Sequence, residues 1–168
     1  MVLYYTYKQK TKIFAESFGH VLGLPIYELE ADINKKSAVL FLFKALNLTF
    51  TDKTYPINNM PQDLPVEIFV CSPIWGGKLA APVRYFLENA NLQRTVVNLV
   101  LTASVPTEKY KQSALEYISK LCIPGEIFLF ATNGKVKPDG EILIEQLREI
   151  LGTNVAKPNN NAESIDKK

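Results

Sequence analysis

The sequence predicts an α/β domain, a doubly wound three-layer sandwich built on a five-stranded parallel sheet. Short apolar runs alternate with helical segments five times along the chain, a pattern typical of parallel sheets with helices on both faces. The first, third and fourth runs are apolar throughout, so these strands are predicted to be central. The second run alternates polar and apolar residues, which suits an edge strand. The predicted strand order is therefore 2-1-3-4-5.

The first half of the chain contains three strand signals and two helix signals. The apolar run 2–5 predicts strand one, and apolar residues at helical spacing over 10–22 predict the first helix, which Gly23 and Pro25 end. Residues 26–30 alternate and predict strand two, and 37–48 predict the second helix. The polar, proline-containing segment 49–65 is predicted to be a long loop, and 66–71 predict strand three.

The second half repeats the alternation. Apolar residues spaced i, i+3, i+4 and i+7 over 80–90 predict a helix in which Pro82 is tolerated in the first turn. Residues 96–101 predict strand four, and an apolar stripe from Tyr110 to Leu121 predicts the next helix. Pro124-Gly125 is expected to turn the chain into strand five, 126–131. A last helix, capped by Asp139, is predicted to end at Gly152.

Length and composition bound the function. The 168 residues fit one domain, predicted to span 1–152 and to be followed by a flexible polar tail, 153–168. The net charge of +2 lacks the strong basic excess of a nucleic-acid-binding protein, and the longest apolar run, 38–43, is too short to span a membrane. The two cysteines are distant in sequence and are expected to be buried, as in a reducing compartment. No signal-peptide pattern follows Met1. Both observations predict a cytoplasmic protein.

The order 2-1-3-4-5 reverses between strands one and three, and ligands bind beyond the strand ends at such a point. The loops to consider are 6–11, 72–79 and 102–106.

In the first loop, hydroxyls and lysines precede a helix start, which favours the binding of an anion. A polar loop that merely caps the helix would have the same composition. In the second loop, Trp75, the only tryptophan, stands before Gly76-Gly77. A flat indole there can contact a planar ligand, or it can fold back over the sheet.

The stretch from Ser72 to Gly77, followed by Ala81-Pro82-Val83 and Phe86-Leu87, resembles the third-strand loop and helix of flavodoxin-like proteins. The resemblance implies FMN bound non-covalently, with its phosphate in the first loop and its ring between the second and third loops. It also implies that a glycine peptide near Trp75 can flip toward ring atom N5, although the glycines would equally serve a tight turn. The implied cofactor-binding residues are Thr6, Lys8, Gln9, Lys10, Thr11, Pro73, Ile74, Trp75, Gly76, Gly77, Thr102, Ala103 and Ser104.

Two loops depart from the family pattern. Thr6 and Thr11 fit the ends of the phosphate loop, but Lys8 replaces the middle hydroxyl residue and Gln9 replaces the glycine. Gln9 is expected to adopt a glycine-type backbone only at a cost. The third loop lacks the family's glycine and aromatic residue. Other chemistries lack their motifs: there is no G-x-G-x-x-G, no G-x-S-x-G, no aspartate ending strand three, and the one histidine, His20, lies late in a helix.

Two functions of different class therefore remain. One is an FMN protein in electron transfer or flavin-dependent reduction, as a carrier or an oxidoreductase, with a redox partner protein or a small-molecule donor or acceptor. The other is a cofactor-free flavodoxin-like binding or regulatory module. Trp75 favours the first, and Lys8 and Gln9 favour the second. The sequence does not fix the oligomeric state.

Overall fold

The computed structural model describes residues 1–33, 37–132, 149 and 152 of the chain. Within them, the parallel strands follow the order β2-β1-β3-β5-β6, and β4 pairs antiparallel with β3. The predicted order 2-1-3-4-5 is confirmed, with predicted strands four and five corresponding to β5 and β6. The strands are β1 (Val2–Tyr4), β2 (Ile26–Glu28), β3 (Glu67–Trp75), β4 (Lys78–Leu79), β5 (Val96–Ala103) and β6 (Ile123–Ala131).

Helices cover the two faces of the sheet. Successive side chains of a strand point to opposite faces, so the apolar residues of one strand contact helices on both sides. In β1, Val2 and Tyr4 belong to the apolar cluster that includes Phe14 and Phe18 of the first helix. Leu3, between them, belongs to the larger cluster formed with the other three helices. The predicted three-layer sandwich is thereby confirmed. The helices are α1 (Lys10–Leu22), α2 (Ala38–Phe50), α3 (Ala81–Asn89) and α4 (Glu108–Ile118).

The third predicted strand continues beyond its expected end at Cys71. Ser72 and Pro73 pair with β5, and the last two residues of β3 pair with the short strand β4. Gly76 and Gly77 connect β3 to β4 with φ values of 53° and 87°, so the segment predicted to be a loop is a β-hairpin. Two successive positive φ angles give the type I′ turn that two-residue hairpins favour.

The last described strand also begins earlier than predicted. Pro124-Gly125 was expected to be a turn, but both residues lie within β6. The Asn98 side chain explains this, because its Oδ1 accepts a hydrogen bond from the Glu126 N–H at 2.8 Å, and the register shifts between Val97 and Leu99. β6 lies at the edge of the described sheet, where proline is tolerated.

The remaining boundaries agree to within a few residues. Ser37 is the N-cap of α2, and the helix runs to Phe50, two residues beyond its predicted end. Pro82 lies in the first turn of α3, as predicted. Cys71 is buried, but Cys122 is only half-buried. The predicted helix from Asp139 and the tail 153–168 lie outside the described residues, within which no helix has the length and apolar character needed to cross a bilayer.

Candidate functional site

A cleft of about 310 Å³ opens where β1, β3 and β5 end. This is the switch point of the strand order, where the sequence predicts the site. Ten of the thirteen predicted site residues line the cleft, whereas Gln9, Gly76 and Gly77 do not. The lining residues are Thr6, Tyr7, Lys8, Lys10, Thr11, Pro73, Ile74, Trp75, Thr102, Ala103, Ser104 and Thr132.

The start of α1 forms the polar end of the cleft. Its first backbone bond joins the Ile13 N–H to the Gln9 carbonyl, so the N–H groups of the first turn have no intrahelical acceptor. The first turn contains no acidic residue, and the side chain of its N-cap residue, Gln9, makes no capping hydrogen bond. Lys8 and Lys10 are exposed beside it, and Lys10 Nζ donates to the Thr132 carbonyl at 3.2 Å. Free N–H groups together with cations suit an anion.

Gln9 adopts the left-handed conformation, with φ 61° and ψ −5°. The sequence predicts a glycine-type backbone at this position, and the angles of Gln9 confirm it. A non-glycine residue with this φ costs about 1–3 kcal/mol. Gln9 therefore shapes the turn from Lys8 into α1 without lining the cleft.

Two buried hydroxyls join α1 to β5 under the cleft. Thr11 Oγ1 lies 2.9 Å from Thr102 Oγ1, and both residues are 2 % exposed. Thr102 Oγ1 also lies 3.5 Å from the Ser72 carbonyl. The resemblance implied that Thr11 and Thr102 act in separate loops, but the structure makes them one hydrogen-bonded pair at the floor of the cleft.

Aromatic rings form the apolar wall. The Trp75 ring is half-buried and packs nearly at right angles to Tyr5 and to Phe41, with ring centroids 5.6 and 5.2 Å apart. Tyr7 stacks flat on Phe41, with an interplanar angle of 2°. Edge-to-face packing fixes the orientation of an indole. Trp75 is thus held in place by Phe41 of α2 and by Tyr5, which directly follows β1, and it also lines the cleft.

The two glycines after Trp75 serve the hairpin turn. A Cβ on Gly76 would lie 2.8 Å from Cγ2 of Thr49, and Gly76 has a positive φ. Both facts require glycine there. Gly77 lines a second cavity of about 150 Å³, which is also lined by Lys78 and Arg84. The peptide flip implied by the resemblance stays a prediction.

Two ionisable groups near the cleft are held neutral by burial. Burial raises the pKa of the Cys71 thiol far above its ordinary value, and it also raises the pKa of the Tyr5 hydroxyl. Both residues are at most 1 % exposed. A thiol held neutral is a poor nucleophile. Cys71 is therefore not a candidate nucleophile for this site.

Four residues at or beside the cleft were missed by sequence reasoning. Tyr7 stands between two predicted site residues, and Thr132 directly follows predicted strand five, so the rule that sites lie beyond strand ends would have found both. No local signal marks Tyr5 or Phe41, because their contacts depend on how α2 packs over the sheet.

Similarity to known proteins is confined to structure. No protein-family model matches the sequence, and no curated protein matches it significantly. A flavoprotein from Lactobacillus acidophilus, solved in complex with FMN, is similar with a TM-score of 0.63 and 20 % identity, over 76 % of this chain and 90 % of that one. A candidate flavoprotein from Bacteroides uniformis has a TM-score of 0.70 and 14 % identity, over 88 % of this chain and 96 % of that one. At these identities the likeness shows the fold.

Proposed function

Starting from its flavodoxin-like fold, we propose that the chain binds FMN non-covalently in the cleft and takes part in electron transfer or flavin-dependent reduction. One observation carries the proposal: the cleft joins an uncapped helix start, flanked by Lys8 and Lys10, to an indole wall formed by Trp75. A phosphate needs donors and positive charge, and a flavin ring needs a flat apolar surface.

The donor set fits the phosphate of FMN. Thr6 and Thr11 both line the cleft, and Thr11 belongs to the first turn of α1, whose N–H groups have no intrahelical acceptor. None of the described residues that line the cleft is acidic, so these residues present no like charge to a bound dianion. FMN supplies the redox chemistry when bound. The chain's part is to hold the phosphate, to orient the ring against Trp75 and to limit the access of water.

The proposal is tested by titrating the protein with FMN and riboflavin and following tryptophan fluorescence. Trp75 is the only tryptophan, so quenching reports this site alone. We expect saturable quenching by both flavins, with FMN binding tighter. Lys8→Ala should weaken FMN by about 10-fold, as the loss of one charge-assisted hydrogen bond predicts, and should leave riboflavin unchanged.

Lys12→Ala is the matched control. Lys12 belongs to the same helix, but its Nζ lies 3.7 Å from Glu16 and it does not line the cleft. It should leave both affinities as in the wild type. Unchanged emission at high flavin concentration, with a native circular dichroism spectrum, would contradict the proposal. Equal effects of Lys8→Ala on the two flavins would move the phosphate away from this loop.

One observation favours the alternative, a cofactor-free binding or regulatory module. The Trp75 ring already has two aromatic neighbours, Tyr5 and Phe41, so it is packed without a ligand. In that case the helix start would still bind an anion. Calorimetry with inorganic phosphate separates the two functions, because a module that binds phosphate but not riboflavin has the anion site without the ring site.

A further inference from the structure

Helix α2 has a second apolar face that points away from the sheet. The buried residues Phe41, Ala45 and Leu48 pack on the core. On the opposite side, five large apolar side chains are exposed at a spacing of three or four residues. This stripe consists of Val39 (63 % exposed), Leu42 (57 %), Phe43 (68 %), Leu46 (37 %) and Phe50 (81 %).

The stripe is large and regular for an exposed surface. With about 200 Å² for a fully exposed large side chain, these exposures amount to roughly 600 Å² of apolar surface, the upper end of what monomers present. Leu40, 56 % exposed, borders it. An apolar stripe on a helix is normally buried against another element, and the spacing of three and four residues is that of ridges that pack against another helix.

The charges beside the stripe favour an uncharged partner surface. Lys44 is the only charged residue of α2, and its Nζ donates to the Tyr55 hydroxyl at 3.2 Å and lies 4.5 Å from the centre of that ring. Lys44 is thereby turned toward the loop that follows α2. A membrane-surface helix usually carries several cations on its polar face, and this helix carries one.

We propose that the stripe is the interface of a homodimer in which α2 packs against α2 of a second copy. An isologous interface needs a surface that is complementary to itself, and an uncharged ridge about 18 Å long meets this condition. Two such stripes would bury about 1,200 Å², the lower limit of a stable interface. The net charge of +2 opposes association little. This inference does not depend on the proposed function.

Sedimentation velocity tests the dimer with the full chain, over about 1–200 µM, where an interface of this size dissociates. The wild type should approach twice the monomer mass of 18.9 kDa as its concentration rises. Phe43→Lys and Phe50→Lys should each remain monomeric at every concentration and keep the wild-type circular dichroism spectrum. Val66→Lys is the control, because Val66 is 78 % exposed but lies outside α2; it should dimerise like the wild type.

Each of the following four results would overturn the inference. A wild-type monomer at the highest concentration excludes the second copy. If that monomer also loses stability in Phe43→Lys, residues of its own chain cover the stripe. A wild-type dimer that Phe43→Lys and Phe50→Lys leave intact uses another surface. Sedimentation of the monomer with phosphatidylcholine and phosphatidylserine vesicles, lost in Phe43→Lys, would assign the stripe to a membrane instead.

Discussion

At the scale of single residues, Gln9 is the position where the chain departs most clearly from what its backbone favours. Gln9→Gly should stabilise the protein by about 1 kcal/mol. Glycine adopts the left-handed conformation without the cost that a residue with a Cβ incurs. Part of this gain is lost, because glycine makes the unfolded chain more flexible. The Gln9 side chain makes no capping hydrogen bond, so none is lost. Urea unfolding measures the change.

Gln9→Ala provides the comparison. It keeps a Cβ in the same conformation, so its free energy of unfolding should stay close to that of the wild type. A Gln9→Gly variant less stable than Gln9→Ala would show that the glutamine side chain makes a stabilising contact and that φ is not the deciding factor.

At the scale of elements, one carboxylate connects the end of α2 to α3. Asp52 Oδ1 accepts hydrogen bonds from Lys78 Nζ at 2.9 Å and from Arg84 Nη1 at 2.7 Å. Arg84, 2 % exposed, also donates to the Leu48 and Lys53 carbonyls. These bonds hold the turn that follows α2 against α3.

The hydrogen bond from Lys78, together with the charges of Lys78 and Arg84, lowers the pKa of Asp52 below its ordinary value. A carboxyl group whose pKa is lower in the folded than in the unfolded protein stabilises the fold fully at pH values above its unfolded pKa of about 4. This stabilisation is lost as the pH falls through the pKa of the folded protein. Asp52→Asn should therefore be less stable than the wild type at pH 7, and the difference should shrink toward pH 3. Urea unfolding at both pH values checks this, with the exposed Asp63→Asn as control; a difference that grows on acidification would contradict it.

The helices and strands were largely predictable from the sequence. Apolar periodicity located every described helix and the five parallel strands, because both kinds of element bury one face. The hairpin was missed because β4 has two residues, too few for a periodic signal. The strand start at Ile123 was missed because the Asn98 side chain, distant in sequence, supplies the hydrogen bond that keeps Pro124-Gly125 in register.

The candidate site was predictable to the extent that it depends on topology. The switch point follows from strand order, so the three loops were located correctly and most of their residues line the cleft. Which side chains turn into it depends on packing. The Thr11–Thr102 pair and the contact of Phe41 with Trp75 join segments far apart in sequence, and composition and spacing do not reveal them.

At the scale of the whole molecule, the charge predicts how the proposed redox function would find its partner. With 19 basic and 17 acidic residues, the protein lacks the negative field that attracts a basic reductase at long range. We expect the FMN-loaded protein to be reduced by a diffusible nicotinamide donor or by a partner at a rate that changes less than about threefold between low and physiological salt. Stopped-flow reduction over a salt series measures this. Fast reduction that requires a basic reductase and slows steeply with salt would contradict it.

The pair of threonine hydroxyls under the cleft has only two protons to share. When Thr102 donates to the Ser72 carbonyl, Thr11 donates to Thr102, and the Thr11 oxygen offers the cleft only a lone pair. When Thr102 donates to Thr11 instead, the Thr11 proton is free for a guest, and what is given up is a long contact of 3.5 Å. Rotation of two hydroxyls, with no heavy atom displaced, thus converts the same floor from a proton acceptor into a proton donor.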